Sequence, residues 1–398
     1  MMTLLLLVIY ISFIGLGLPD SILGSAWPAI YTELNVPVSS QSILTMLIST
    51  GTVTASIFSA RLINKFGTGL LTAMSTLLST ICLLCFSFSN SFYFLLLLAF
   101  PLGSGAGAID AALNNYVSVH YSATKMNFLH SFYGVGVALS PYLMSLCLKV
   151  DNDWRQGYRL VFLIMLAVSI ITICALPLWK KASMLSTEKV KEPKNKTLSL
   201  IQIAKIPTIK YAWIAYFTSV GLEFTCGIWG CTYLVASEGL TEAFSAKLIT
   251  LYYIGMTLGR ILSGIISVKL KNHQIVGIGY TIVGVAIILL ILPLPAIVKG
   301  VALLLIGLGN GPTFPNLAYL TPKFFGQENS QAITGTILAV CNVGILLIPP
   351  LFGIIAQSLT LKVFPLFILI LFILMVITTI IYLKKASKNI KNDKVVDL

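Results

Sequence analysis

Apolar residues run along this chain in stretches of about 20, the length of helix that crosses about 30 Å of hydrocarbon. Twelve stretches fall at 3–31, 41–60, 69–89, 92–118, 127–148, 158–179, 209–236, 244–267, 274–293, 296–320, 329–357 and 362–383, with polar turns between them. Barrel strands would be shorter and would alternate polar with apolar positions. The pattern therefore predicts an all-α membrane protein with twelve transmembrane helices. The first stretch has no basic leader and no small-residue cleavage site, so it reads as a true span and not as a removable signal.

One long polar interruption breaks the series. KKASMLSTEKVKEPKNKTLSLIQIAK, at 180–205, is basic and contains proline, the composition of a linker. It divides the chain into a six-helix bundle at 1–179, a linker at 180–208, a second six-helix bundle at 209–383 and a tail at 384–398. The halves repeat. Adding 204 carries Gly51, Lys65, Gly103, Gly105 and Gly107 onto Gly255, Lys269, Gly307, Gly309 and Gly311, and brings Asp20 within one residue of Glu223. Parallel repeats of this kind build transporters whose substrate site lies between the halves near the midplane.

Composition agrees with the pattern: 57% of residues are hydrophobic and 10% charged, where a soluble domain carries about 25% charged. The net charge of +13 is a topology signal and does not point to nucleic acid. With loops assigned alternately to two sides, the side holding both termini and the linker has 19 of the 26 Lys and Arg, the other side has six, and Arg260 lies within a span. The positive-inside rule then places both termini in the cytoplasm. The expected location is multi-pass in a bacterial plasma or inner membrane, as a monomer in the lipid bilayer. All seven cysteines lie within apolar spans, so no disulfide framework is expected. The CLLC at 82–85 has no His or second Cys pair beside it, so packing is favoured over metal binding. There is no phosphate-binding glycine loop, metal cluster or nucleophilic triad. An enzyme, ATP hydrolysis and a bound cofactor are not expected.

Polar residues inside the spans mark the candidate site, because a charge at mid-bilayer costs about 2.5–3.5 kcal/mol on insertion scales. Gly103, Gly107, Asp110 and Asn114 form one helical stripe on the fourth span, small at one end and polar at the other. Such a stripe lines a cavity, or hydrogen-bonds a neighbouring helix. Counting along the spans puts Asp20 toward the outside and Asp110 toward the cytoplasm, at the depth of His130. His130 is then either a partner for Asp110 or a packed core histidine. Pro19, with Gly15 and Gly17, predicts a local break beside Asp20, or a plain kink. Glu223 heads a stripe with Cys226 and Gly230. Trp27 and Trp229 hold near-equivalent places in the halves, suited either to sugar faces or to packing. Trp154, Trp179 and Trp213 stand at span ends as interfacial anchors. In GNGPTFPN, Asn310 and Asn316 add hydrogen-bonding groups, with Pro312 and Pro315 breaking the helix.

The arrangement resembles the major facilitator superfamily, whose fold packs two pseudo-symmetric six-helix bundles. SARLINKFG, at 59–67, is similar to a degenerate form of its cytoplasmic gate motif. It keeps Arg61, Lys65 and Gly67 but lacks the acidic residue. TLGRILSGIISVK, at 257–269, keeps Gly259, Arg260, Gly264 and Lys269. The resemblance implies a gate at Arg61, Lys65, Arg260 and Lys269, although ordinary loop charge also accounts for Lys65 and Lys269. Arg260 lies inside the span yet close enough to its end to snorkel, or to pair with helix ends across the halves. GLPDSILGSAWPAI, GAGAIDAALNNYVS and MNFLHSFYGVG resemble the first, fourth and fifth spans of the L-fucose–proton symporter group. That implies carboxylates at Asp20 and Asp110 for proton coupling, and substrate contacts at Asp110, Asn114, His130 and Tyr133, with Trp27, Glu223, Trp229 and Asn310 added from the reading above. His130 and Tyr133 replace the group's Gln and Asn, which leaves the sugar open. The expected function is proton-coupled symport of a sugar or similar small polar solute. The alternative is a proton-coupled drug-efflux antiporter, whose fifth-span glycine motif is half present through Gly136 and Pro141. A non-transporting receptor is a third class, without an appended domain to support it.

Overall fold

A computed structural model describes residues 2–121, 123–150, 153–185 and 200–396. Among them every regular element is helical. The first half holds α1 (Met2–Glu33), α2 (Ser40–Phe66), α3 (Thr68–Phe86), α4 (Phe92–His120), α5 (Ala123–Val150) and α6 (Trp154–Cys174). Two short helices follow, α7 (Leu176–Leu185) and α8 (Leu200–Ala204). The second half holds α9 (Ile209–Glu238), α10 (Glu242–Ile266), α11 (Asn272–Ile291), α12 (Ala296–Asn310), α13 (Thr313–Phe325), α14 (Gln327–Ser358) and α15 (Phe364–Val396). Helices suit a bilayer because each satisfies its own backbone polar groups.

Among the described residues eleven spans are long and apolar enough to cross a membrane, with α12 and α13 together forming one of them. The twelfth is α9. It is less apolar because it is an interior helix, carrying Glu223 and buried Ser219, Thr225 and Thr232. The tenth span breaks at Gly311–Pro312, as the sequence predicts, and Pro315 lies inside the first turn of α13.

The repeat at offset 204 is a repeat of contacts. A side chain on Gly51 would strike the Phe100 carbonyl and Ser104, and one on Gly255 would strike the Leu304 carbonyl and Leu308. Gly103 meets the Ile48 carbonyl where Gly307 meets that of Tyr252. Gly107 meets the Thr52 carbonyl where Gly311 meets that of Met256. Gly105 packs on Ser75 and Ser79, and Gly309 on Gly279 and Val283. In each pair both members move by 204. Glycine is needed because these backbones touch, and close packing is what joins helices in lipid. Gly67 and Gly326, at φ 76° and 80°, close the α2–α3 and α13–α14 corners with a single residue, a conformation that L side chains rarely adopt.

The halves meet through α1 on α9, α2 on α14 and α5 on α10. Among the described residues four hydrogen bonds cross between them on the side away from the linker. Gln41 Nε2 donates to the Ile228 carbonyl at 3.0 Å, and Ser42 Oγ to that of Pro350 at 3.3 Å. Cys231 Sγ donates to the Ser25 carbonyl at 3.5 Å, and the Ser39 amide to Gln357 Oε1 at 3.4 Å.

Two expectations change, the break at Pro19 and the end of the sixth span. Helix α1 runs unbroken through Pro19 and Pro28. A proline removes one backbone donor, but the helix is held there by Gly17 packed directly on the α5 backbone at Tyr133 and Val137. The sixth span ends at Cys174, and α7 follows as a separate helix. Residues 186–199 of the linker lie outside the described residues. The segment after 384 continues the last helix to Val396. The span-end tryptophans are tied inward: Trp154 Nε1 donates to Glu33 Oε2 at 2.7 Å, Trp213 Nε1 to Thr336 Oγ1 at 3.1 Å, and Trp179 packs edge-on to Tyr116.

Candidate functional site

The close contact of α1 with α5 builds the first wall of the site. Gly17 lies on the Tyr133 carbonyl, and Gly136 on that of Ile14. With the backbones this close, the Tyr133 hydroxyl reaches over α1 and donates to Asp20 Oδ2 at 2.8 Å. Asp20 is exposed, although its neighbours along α1 are buried. It opens onto a cleft between the halves, lined by Asp20, Tyr133 and Val137 from the first half and by Glu223, Phe224, Ile228, Tyr253 and Met256 from the second. Water-sized spheres fit over about 20 Å³ of it, room for a water or two.

The second wall carries its own acid, and that acid is neutralised. Arg260 Nη2 lies 2.9 Å from Glu223 Oε1, both on second-half helices. The side chains are 22% and 15% exposed, so the pair is largely withdrawn from water. Tyr252 Oη donates to the Glu223 carbonyl at 2.9 Å and fixes α10 against α9 at this level. The expected pairing of Arg260 with helix ends across the halves is therefore corrected. Its partner is a carboxylate of its own half, within reach because residues 223 and 260 face one another across the α9–α10 contact.

The half-repeat explains why Asp20 has no such partner. Subtracting 204 from Arg260 gives Ser56, whose hydroxyl donates to the Gly107 carbonyl at 3.4 Å. Where the second half has a guanidinium, the first has a hydroxyl. Among the described residues no cation pairs with Asp20.

Asp110 is half-buried on α4 and accepts from Asn114 Nδ2 at 2.8 Å, one turn along the same helix. The Asn114 Oδ1 atom is buried without a protein partner. His130 is not joined to Asp110. Among the described residues its contact is instead edge-on to Phe13, ring centroids 6.0 Å apart. Gly103 and Gly107, on the same stripe, face α2.

Trp27 and Trp229 are fully buried, outside the cleft lining. Trp27 Nε1 donates to the Val38 carbonyl at 2.9 Å, and Trp229 Nε1 to that of Pro349 at 2.8 Å. Asn310 bridges α12 to α9 through Ser219 Oγ, at 3.2 Å, and the Ser219 carbonyl. Asn316 binds Ser263 Oγ at 2.6 Å and accepts from Asn272 at 3.0 Å. Arg61, Lys65 and Lys269 are exposed at the linker-side ends of their helices. Arg61 lies over the Phe58 ring and Lys65 over that of Phe66. Sequence reasoning missed Tyr253, although the doublet Tyr252-Tyr253 inside an apolar span was a visible signal.

The chain is 24% identical over 395 residues to Bypass of stop codon protein 6 of Saccharomyces cerevisiae, covering 89% of this chain and 78% of that one. It is 20% identical over 265 residues to the glucose/mannose transporter GlcP of Bacillus subtilis, covering 66% of this chain and 65% of that one. Its fold is similar to an inward-facing, unoccupied structure of a bacterial homologue of the human lysosomal transporter Spinster. There the TM-score is 0.70 at 14% identity, over 98% of this chain and 97% of that one. The family model of the Major Facilitator Superfamily matches residues 9–349. With two six-helix halves around a polar cleft, this chain belongs to the major facilitator superfamily of membrane transporters.

Proposed function

We propose that this transporter is a symporter that couples entry of a proton to entry of a sugar or similar small polar solute. The observation that carries the reading is the unequal treatment of two equivalent acids. Glu223 is held by Arg260 at 2.9 Å, whereas Asp20 has only the Tyr133 hydroxyl at 2.8 Å. A permanently paired acid has no reason to exchange its proton as the cleft opens and closes. Asp20, when ionised, is an unpaired charge that is costly to seal away from water. Protonation removes that charge and lets the loaded halves rock, so the proton gradient sets the direction.

Sugar is the favoured solute class for two reasons. Carboxylates and tyrosine hydroxyls are suited to binding hydroxyl groups, and a relative covering two thirds of this chain is a glucose/mannose transporter. In this reading Asp110 and Asn114 bind solute hydroxyls and His130 lies nearby. The excess of Lys and Arg on the linker side supports cytoplasmic termini and makes the far side external.

The test uses purified protein in liposomes loaded with a pH-sensitive dye. Adding glucose, mannose or L-fucose outside should acidify the interior for at least one sugar, in proportion to sugar uptake. Sugar uptake without proton movement would leave a uniporter. Absence of both for every sugar would remove the sugar reading.

A further inference from the structure

The Tyr253 hydroxyl is the one group in the cleft lining whose place is otherwise unexplained. Its ring is 8% exposed and packs edge-on to Tyr252 at 5.1 Å. The hydroxyl lies against the backbone of Gly227, where any side chain would collide with it. Gly227 is also where α1 crosses α9, since Gly24 packs on its carbonyl. The phenol therefore reaches the seam between the halves through a gap that only glycine leaves. Among the described residues it hydrogen-bonds to nothing. Tyr133 is spent on Asp20 and Tyr252 on the Glu223 carbonyl, but Tyr253 is left with a free donor and acceptor.

We infer that Tyr253 is a solute-contacting, specificity-determining residue, and that it binds a hydroxyl of a neutral polyhydroxylated solute from the second half while Asp20 faces the same solute from the first. This inference rests on the sugar reading and extends it to a residue and a charge class. The second half otherwise offers Glu223, which Arg260 already holds, and the apolar Phe224, Ile228 and Met256. Tyr253 is then its free hydrogen-bonding group for the solute, and a contact that engages both halves couples binding to rocking. The charges set the class. Among the described residues the acids lining the cleft are Asp20 and Glu223, and the Arg260 beside them is held by Glu223, so a solute bearing a carboxylate or phosphate finds no free cation there. A neutral polyol donates to the acids and exchanges hydrogen bonds with the phenol.

The experiment measures equilibrium binding to the full-length protein in detergent by titration calorimetry, with glucose, mannose, L-fucose and glucuronate as probes. Wild type should bind at least one neutral hexose and should not bind glucuronate. Tyr253→Phe should weaken the hexose about three- to tenfold, the factor for one neutral hydrogen bond. Its melting temperature should not change, because the hydroxyl has no protein partner to lose. An unchanged hexose Kd in Tyr253→Phe overturns the assignment of Tyr253 and leaves the sugar reading standing. Glucuronate bound as well as the hexose overturns the charge class. Failure of every neutral hexose to bind wild type overturns the sugar reading, and this inference with it.

Discussion

Arg260 and Glu223 lie 2.9 Å apart on neighbouring helices of the same half, so any motion of one half against the other would carry them together. The pair balances charge inside one rigid body. Removing one partner of a buried pair costs about 3–5 kcal/mol because the other charge is stranded. With these side chains still 22% and 15% exposed, the lower end applies.

Arg260→Ala should therefore destabilise by about 3 kcal/mol. Glu223→Gln should do the same, and Glu223→Gln combined with Arg260→Gln should recover most of the loss. Chemical denaturation in detergent reads this directly. Additive losses in the double variant would show that the two side chains act independently.

Ser56 occupies the place in the first half that Arg260 occupies in the second. Ser56→Arg should supply the missing counter-ion, pin the acids of the first half and stop uphill accumulation in vesicles, while the protein still inserts. Wild-type accumulation in Ser56→Arg would mean that the absence of a cation is not what frees Asp20.

Asp110 should contribute to affinity itself, through charge-assisted hydrogen bonds worth about 1.5–3 kcal/mol. Asp110→Ala should raise the solute Kd about ten- to hundredfold and abolish counterflow as well as accumulation. His130→Ala should cause a smaller loss. An unchanged Kd in Asp110→Ala would reduce Asp110 to a packing or relay residue.

The seam on the far side has a built-in reporter. Cys231 is fully buried between the halves, with its thiol on the Ser25 carbonyl, and Gln41 bridges to Ile228 nearby. In a protein whose other cysteines are replaced by serine, Gln41→Ala should speed modification of Cys231 by an impermeant maleimide severalfold. Losing a contact that closes this seam should bias the population toward forms in which the seam is open. Equal labelling rates would show that Gln41 does not hold the seam.

The parts legible in the sequence are those that depend on repetition and polarity. The glycine matches at offset 204 disclosed the two repeated halves, because backbone contact tolerates only a small residue and therefore marks the same places in both; which helices meet there, α4 with α2 and α3 and α12 with α10 and α11, came from the structure. Asp20 and Glu223 stood out as charges in apolar runs. What a single sequence did not carry was helix rotation. Depth alone set Asp110 beside His130, but Asp110 bonds Asn114 on its own helix and His130 stands against Phe13 of α1. The same limit hid the Arg260 partner, which depends on how α9 and α10 turn toward each other. Pro19 signalled a break that packing on α5 overrides. Tyr253 was missed because a tyrosine in an apolar span reads as packing until its hydroxyl is seen to have no partner.

Asp20→Asn tests the central claim most directly, with uphill accumulation and counterflow exchange measured in the same vesicles. Asparagine keeps a hydrogen-bonding group for Tyr133 and imitates the protonated acid, so the loaded carrier should still exchange solute across the membrane. It cannot release a proton, so the gradient should no longer drive uptake. The account predicts counterflow near the wild-type rate with accumulation abolished. Uphill accumulation at the wild-type rate in Asp20→Asn would contradict it.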